Sequence, residues 1–374
     1  MQRLDRVLQD TVANKDMPFV VAMVGTAAGV TYSGAAGPDA GPETVFRVFS
    51  LSKAICAAAA MILVERGKLS LDTPVVDILP EFGSMQVLDG FDGKVPRLRA
   101  PRVQATVRHL ATHTSGLEYE FWNADIARYV AMTGHPGMLT GLKAALHCPM
   151  ASDPGTRWGY GMGLDWLGLV VEAVDGRRID AFCQAEIFAP LGMTQTGFAA
   201  DPARLAKLAI RGPAGRFVPH DLAPPPMPEV YGMGHALYST APDYMRFLRM
   251  VLNKGVLDGN RVLSVASVAV MQADQMQGLS FQKMVTTVPP ITADFDPFPG
   301  TPVTHSFGFL RNEVDSPGRR AAGSLGWAGL CNTHYWIDPA RDVAAVFMTQ
   351  SLPFAEARVM RAYEAFERGV YAGK

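Results

Sequence analysis

Hydrophobic positions along the first 66 residues change period twice. Leu4, Val7, Leu8 and Val12 recur near every 3.6 positions, which predicts a helix over residues 2–15. Two short apolar segments, 19–26 and 30–33, flank the turn-prone Ala27-Ala28-Gly29 and read as strands; residues 45–49 are a third candidate. From 50 to 66 the chain is rich in alanine and reaches Gly67, the pattern of a helix with a glycine stop. After Asp72-Thr73-Pro74 the pattern breaks into loops and short helices, over 107–110 and 138–148. A clearer helix over 163–174 is closed by Asp175-Gly176.

Residues 221–229 contain Pro224-Pro225-Pro226 and Pro228, so they read as a surface crossing without regular structure. Residues 242–252 are helical, with Tyr244, Phe247, Leu248 and Val251 on one side, and a stretch rich in threonine, proline and aspartate follows at 286–304. Strands return at 307–310, 333–337 and 343–349, with Asp338-Pro339 as a turn, before a closing helix over 354–370. Strands at both ends with helices between them predict an α/β (α+β) chain whose sheet is completed by both termini. The expected division is a sheet subdomain from 1–75 and 300–374 and a mainly helical one from 76–230. Residues 231–299 then form a return segment bordering the cleft. No fixed period repeats, which disfavours a solenoid or propeller.

Composition changes this picture little. The 374 residues suffice for two subdomains sharing a cleft. Hydrophobic residues make up 48% and charged residues 18%, as in ordinary globular proteins. A net charge of -1 favours neither nucleic acid nor an anionic membrane as partner. Solvated loops explain Arg177-Arg178 and Arg319-Arg320 at least as well as binding patches. The longest apolar run, Ala54 to Val64, is 11 residues, too short to span a bilayer. No apolar stretch with a small-residue cleavage site follows the N-terminus, so the expected location is cytoplasmic. Cys56, Cys148, Cys183 and Cys331 lack metal-knuckle spacing and are expected to be free thiols. There is no His-Glu-x-x-His motif and no Gly-x-Ser-x-Gly elbow. Neither a metal nor a cofactor is expected, and a conventional Ser-His-Asp hydrolase is disfavoured.

Three segments offer chemistry. In Ser50-Leu51-Ser52-Lys53, positions three apart on a helix share a face, so Ser50 and Lys53 can meet. A serine hydroxyl needs a base, and an apolar surround disfavours the charged form of a lysine. The rival Ser52 points away around the helix. By spacing alone, two solvated surface residues fit better. Tyr160 follows a Pro154-Gly155 turn and precedes a helix; its hydroxyl suits proton transfer, and an aromatic core plug fits too. Gly323-Ser324-Leu325-Gly326-Trp327-Ala328-Gly329-Leu330 suits a strand edge offering N–H groups to an oxyanion, or a simple turn before a strand.

Taken in order, these segments resemble the serine beta-lactamase-like superfamily, especially its class C and penicillin-binding branch and the family VIII carboxylesterases. Ser50-Leu51-Ser52-Lys53 matches the family's Ser-x-x-Lys, and His113-Thr114-Ser115-Gly116 lies in its histidine-threonine-serine-glycine landmark. Pro154 to Tyr160, Leu237 to Asp243 and Gly326 to Leu330 match three further stretches. The resemblance implies a beta-lactamase-like fold with an antiparallel sheet flanked by helices and a cleft against a helical subdomain. It implies Ser50 as acyl-enzyme nucleophile, Lys53 as base, Tyr160 as proton carrier, and the backbone N–H groups of Ser50 and Leu330 as oxyanion hole. His113 matches a recurrent histidine that looks structural.

Two departures bear on substrate. The family's Tyr-x-Asn reads Tyr160-Gly161-Met162, and its Lys-Thr-Gly reads Trp327-Ala328-Gly329. Loss of that lysine argues for small neutral esters. Trp327, Ala328, Gly329 and Met162 are expected around the substrate, with Tyr119, Phe121 and Trp122 as a further wall or as core. The expected activity is serine carboxylesterase. The alternatives are a beta-lactamase or D-aminopeptidase, an acyltransferase, and a non-catalytic binding protein. The sequence leaves the oligomeric state open.

Overall fold

Both ends of the chain enter one seven-stranded antiparallel sheet. The computed structural model describes residues 2–38, 40–222 and 228–372. Across the sheet the strands run Val303–His305, Leu310–Asn312, Leu325–Gly329, Thr333–Asp338, Val343–Met348, Val20–Gly25 and Val30–Ala36. Val21 lies opposite Met348, and Trp327 lies opposite Tyr335.

Alternate residues of the central strands serve two cores. Val20, Ala22, Val24, Ala345 and Phe347 pack with Leu4 and Leu8 of the Gln2–Ala13 helix and with Val359 and Phe366 of the Ala357–Tyr371 helix. Val21, Met23, Ala344, Val346 and Met348 join the main core with the Ser52–Glu65 and Ala241–Leu252 helices. With both faces covered, these strands read as unbroken apolar runs rather than alternating ones.

The Ser52–Glu65 helix is buried on all sides from Ser52 to Leu63, as expected of a helix that is apolar all round. Its alanines admit close neighbours. Gly308, at φ +92°, passes so near Ala57 that a Cβ there would overlap the alanine methyl. The Gly163–Asp175 helix packs on another side, and Cys56 Sγ donates to Leu164 O at 3.3 Å. The four cysteines are buried and unpaired. Among the described residues no helix is long and apolar enough to cross a membrane.

Several expectations change. The strand expected at 45–49 shrinks to Phe46–Arg47, because Phe49 adopts φ +46° and turns the chain. The helix expected at 138–148 is two 3-10 turns, Met138–Thr140 and Lys143–His147, interrupted by Gly141 in the left-handed region. Gly308 displaces the strand expected at 307–310 to Leu310–Asn312, and Phe307 and Phe309 enter the core. The helix expected at 242–252 forms as Ala241–Leu252 and lies against the sheet. The proline run 224–226 lies outside the described residues.

Arg319 and Arg320 are not solvated. Both are buried and share the carboxylate of Glu367, on the closing helix, at 2.7 Å each; Arg320 also donates to Tyr363 OH. Burial pushes the Glu367 carboxyl up, but the two guanidinium groups outweigh it and hold it below the usual range.

Candidate active site

The turn carrying Ser50 is held from three directions. Phe46–Arg47 pairs with Tyr238–Ser239, and the Val48 N–H donates to Leu237 O at 3.1 Å. Phe49 then takes a left-handed conformation that bulky residues rarely occupy. Chain direction reverses, and Ser50 falls in the 3-10 turn Phe49–Leu51 that leads into the alanine-rich helix. Ser52 is occupied by this turn: its Oγ donates to Phe49 O at 2.6 Å and accepts the Leu237 N–H at 3.1 Å. Tyr244 OH donates to Leu51 O at 2.9 Å. The rival hydroxyl is therefore structural.

Ser50 Oγ accepts from Tyr160 OH at 2.6 Å and lies 3.1 Å from Lys53 Nζ. Lys53 is only 1% exposed. Its Nζ also donates to Gly234 O at 2.8 Å, meets Tyr119 OH at 3.2 Å, and sits 4.8 Å from the centre of the Tyr160 ring. The Trp327 indole N–H donates to Tyr160 OH at 3.1 Å. Tyr160 thus receives one hydrogen bond and passes one to Ser50. His113 packs edge-on against Tyr160 at 4.8 Å and lies 5.1 Å from His305. Burial, with His305 and Lys53 nearby, holds its pKa well below the usual histidine value. It is a neutral packing partner with no contact to Ser50.

The Leu325–Gly329 strand ends against the same turn. Thr333 Oγ1 donates to Val48 O at 3.2 Å, and a Cβ on Gly329 would overlap both that carbonyl and the threonine hydroxyl. Only glycine lets this strand edge come so close. Among the described residues neither the Ser50 N–H nor the Leu330 N–H has an intramolecular acceptor. Both residues line a recess over Ser50. Phe121, Trp122, Met138, Met284, Trp327 and Phe354 form much of its apolar wall, and among the described residues no lysine or arginine lines it.

The Beta-lactamase family profile matches residues 4–369. This chain belongs to the Beta-lactamase family. It is similar to acyltransferase calJ of Penicillium decumbens, with 30% identity over 90% of this chain and 83% of that protein. Its identity to the lovastatin esterase of Penicillium rubens is also 30%, over 83% of this chain and 80% of the esterase. The solved LovD6 mutant of simvastatin synthase from Aspergillus terreus superposes with a TM-score of 0.85 at 28% identity, covering 99% of this chain and 94% of its own. With relatives named as esterases and acyltransferases, the chain is an enzyme of the serine beta-lactamase-like hydrolase superfamily.

Within this family member, Tyr119, Trp122, Trp327, Ala328 and Leu330 line the recess, whereas Met162 and Gly329 do not. Met162 is buried at the start of the Gly163–Asp175 helix, where its carbonyl accepts the Asp165 N–H at 3.0 Å. Gly329 acts through the space it leaves. Trp327 is more than a wall, since its N–H reaches Tyr160. Sequence reasoning missed Met138, Met284, Phe354 and His235, which also line the recess. It also missed Asp165, whose signal was available: one carboxylate in the otherwise apolar run Gly163-Leu164-Asp165-Trp166-Leu167-Gly168.

Proposed function

We propose that this enzyme is a serine carboxylesterase that cleaves small neutral esters through an acyl intermediate on Ser50. The observation that carries this reading is the position of Ser50 Oγ, between Lys53 Nζ at 3.1 Å and Tyr160 OH at 2.6 Å beneath an apolar recess. Lys53, acting as base, takes the Ser50 proton as Oγ attacks the ester carbonyl, while the Tyr160 hydroxyl donates to Oγ and is placed to relay a proton. The Ser50 and Leu330 N–H groups receive the developing oxyanion, an interaction worth about 3–4 kcal/mol per well-aimed donor. Tyr160 or Lys53 returns the proton to the departing alkoxide. Water then releases the acid by the reverse path. The apolar lining and the indole of Trp327 favour an uncharged acyl group over a carboxylate-bearing antibiotic.

The same acyl-Ser50 intermediate serves an alcohol acceptor in place of water. Similarity to proteins named acyltransferases supports that second reading. A panel of aryl esters of graded acyl length, run beside a cephalosporin and with competing alcohols, separates the possibilities. The esterase reading requires short neutral esters to outpace the cephalosporin, and acid rather than a new ester to be the main product. Phosphonate labelling must be lost in Ser50→Ala; labelling that persists overturns the nucleophile.

A further inference from the structure

Three oxygens surround Lys53 Nζ. One belongs to Ser50; the other two, Gly234 O and Tyr119 OH, share an anchor. Asp165 projects from the Gly163–Asp175 helix with no exposed side-chain surface. Its Oδ1 accepts the Gly234 N–H at 2.8 Å and its Oδ2 accepts Tyr119 OH at 3.3 Å. His235 Nδ1 lies 3.4 Å from Oδ1. The backbone is shaped around this carboxylate. A Cβ on Gly232 would lie 2.7 Å from Oδ1; one on Gly234 would lie 2.5 Å from Oδ2 and 2.7 Å from the Tyr119 oxygen. Neither glycine is at positive φ, so each is there for space rather than conformational freedom.

Burial pushes the Asp165 carboxyl up, but His235, the charged form of Lys53 and the Gly234 N–H outweigh it and hold it below the usual range; the His235 and Gly234 contacts remain when Lys53 acts as a base. An ionised carboxylate only accepts hydrogen bonds. Tyr119 must therefore point its proton at Asp165. The Tyr119 lone pair is left facing Lys53. A neutral lysine amine has two protons and one lone pair. With the protons taken by Gly234 O and Tyr119 O, the lone pair faces the one remaining neighbour, Ser50 Oγ.

We infer that Asp165 is a positioning residue that aims the Lys53 lone pair at Ser50 by fixing the direction of the Tyr119 hydroxyl and the place of Gly234. The inference rests on the proposed role of Lys53 as base. In Asp165→Asn the amide NH2 can donate to Tyr119, which frees the phenol proton to occupy the Lys53 lone pair. Steady-state hydrolysis of a short-chain aryl ester tests this. Asp165→Asn is expected to lose about tenfold or more in kcat, the worth of one misdirected hydrogen bond, with KM within about twofold. Tyr119→Phe is expected to lose less. Asp165→Asn combined with Tyr119→Phe is expected to be faster than Asp165→Asn alone, because the misdirected donor is gone.

A merely structural Asp165 gives losses that multiply in the double variant, and that result overturns the inference, as does wild-type kcat in Asp165→Asn. If Asp165→Asn does not fold, Tyr119→Phe decides: kcat must fall with KM nearly constant, and an unchanged kcat overturns the proposal. Lys53→Met separates the two levels. Wild-type hydrolysis in that variant removes the base reading itself, whereas loss of hydrolysis leaves the Asp165 result to be judged alone.

Discussion

Replacing Trp327 by phenylalanine takes one donor from the site and leaves an aromatic wall. The indole N–H gives Tyr160 OH a 3.1 Å hydrogen bond, and the Trp327 side chain is buried between the recess and the core. In the ground state this bond joins two neutral groups and contributes about 0.5–1.5 kcal/mol. As Tyr160 passes its proton during acylation, its oxygen gains negative character, and a bond to a charged acceptor is worth about 1.5–3 kcal/mol. Only the difference, about 1–1.5 kcal/mol, accelerates the reaction. Trp327→Phe is therefore expected to lower kcat by about 5- to 13-fold. KM for a short acyl ester should move less than about threefold, since the apolar surface is largely kept. The smaller ring also leaves a void costing about 1–2 kcal/mol, which a protein stable by about 5–15 kcal/mol tolerates without unfolding. Burst kinetics with a chromogenic aryl ester resolve acylation from deacylation, and thermal unfolding checks that the variant is folded. An unchanged acylation rate with a raised KM would refute the reasoning and reduce Trp327 to a wall.

Further expectations follow from the surrounding packing. Glu367→Gln leaves Arg319 and Arg320 buried without their shared anion and should destabilise by about 3–5 kcal/mol, seen in urea unfolding, with activity per folded molecule retained. Gly329→Ala drives a methyl into Val48 O and Thr333 Oγ1, so the strand edge must retreat from the Ser50 turn. Phosphonate labelling should slow by about tenfold or more, and an unchanged rate would sever Leu330 from the oxyanion hole. Burial holds His305 at about 4 and His334 at about 3, below the ordinary 6.5. Between about pH 6.5 and pH 4 the unfolded chain binds more protons than the native one, so stability falls with pH by about 1 kcal/mol per unit for each histidine. Urea midpoints between pH 7 and pH 5 should fall less steeply in His334→Phe; equal slopes would show that His334 is not held neutral.

The sequence by itself determined whatever depends on near neighbours along the chain. A period near 3.6 residues marked the Gln2–Ala13 helix, alanine content and Gly67 marked the Ser52–Glu65 helix, and Asp175-Gly176 ended the Gly163–Asp175 helix within a residue of expectation. Ser50 and Lys53 are three apart, so a helical turn brings them close whether Ser50 begins an α-helix, as the pattern suggested, or a 3-10 turn, as found. Tertiary structure decided what requires distant segments to converge. Tyr119 reaches Lys53 across 66 positions, Gly234 across 181, and Trp327 reaches Tyr160 across 167. No local period encodes those meetings. They arise because the sheet closes with strands from both termini and sets the Leu325–Gly329 edge against the Ser50 turn. The same cause explains the errors. Arg319 and Arg320 looked like solvated charge until the closing helix brought Glu367 between them.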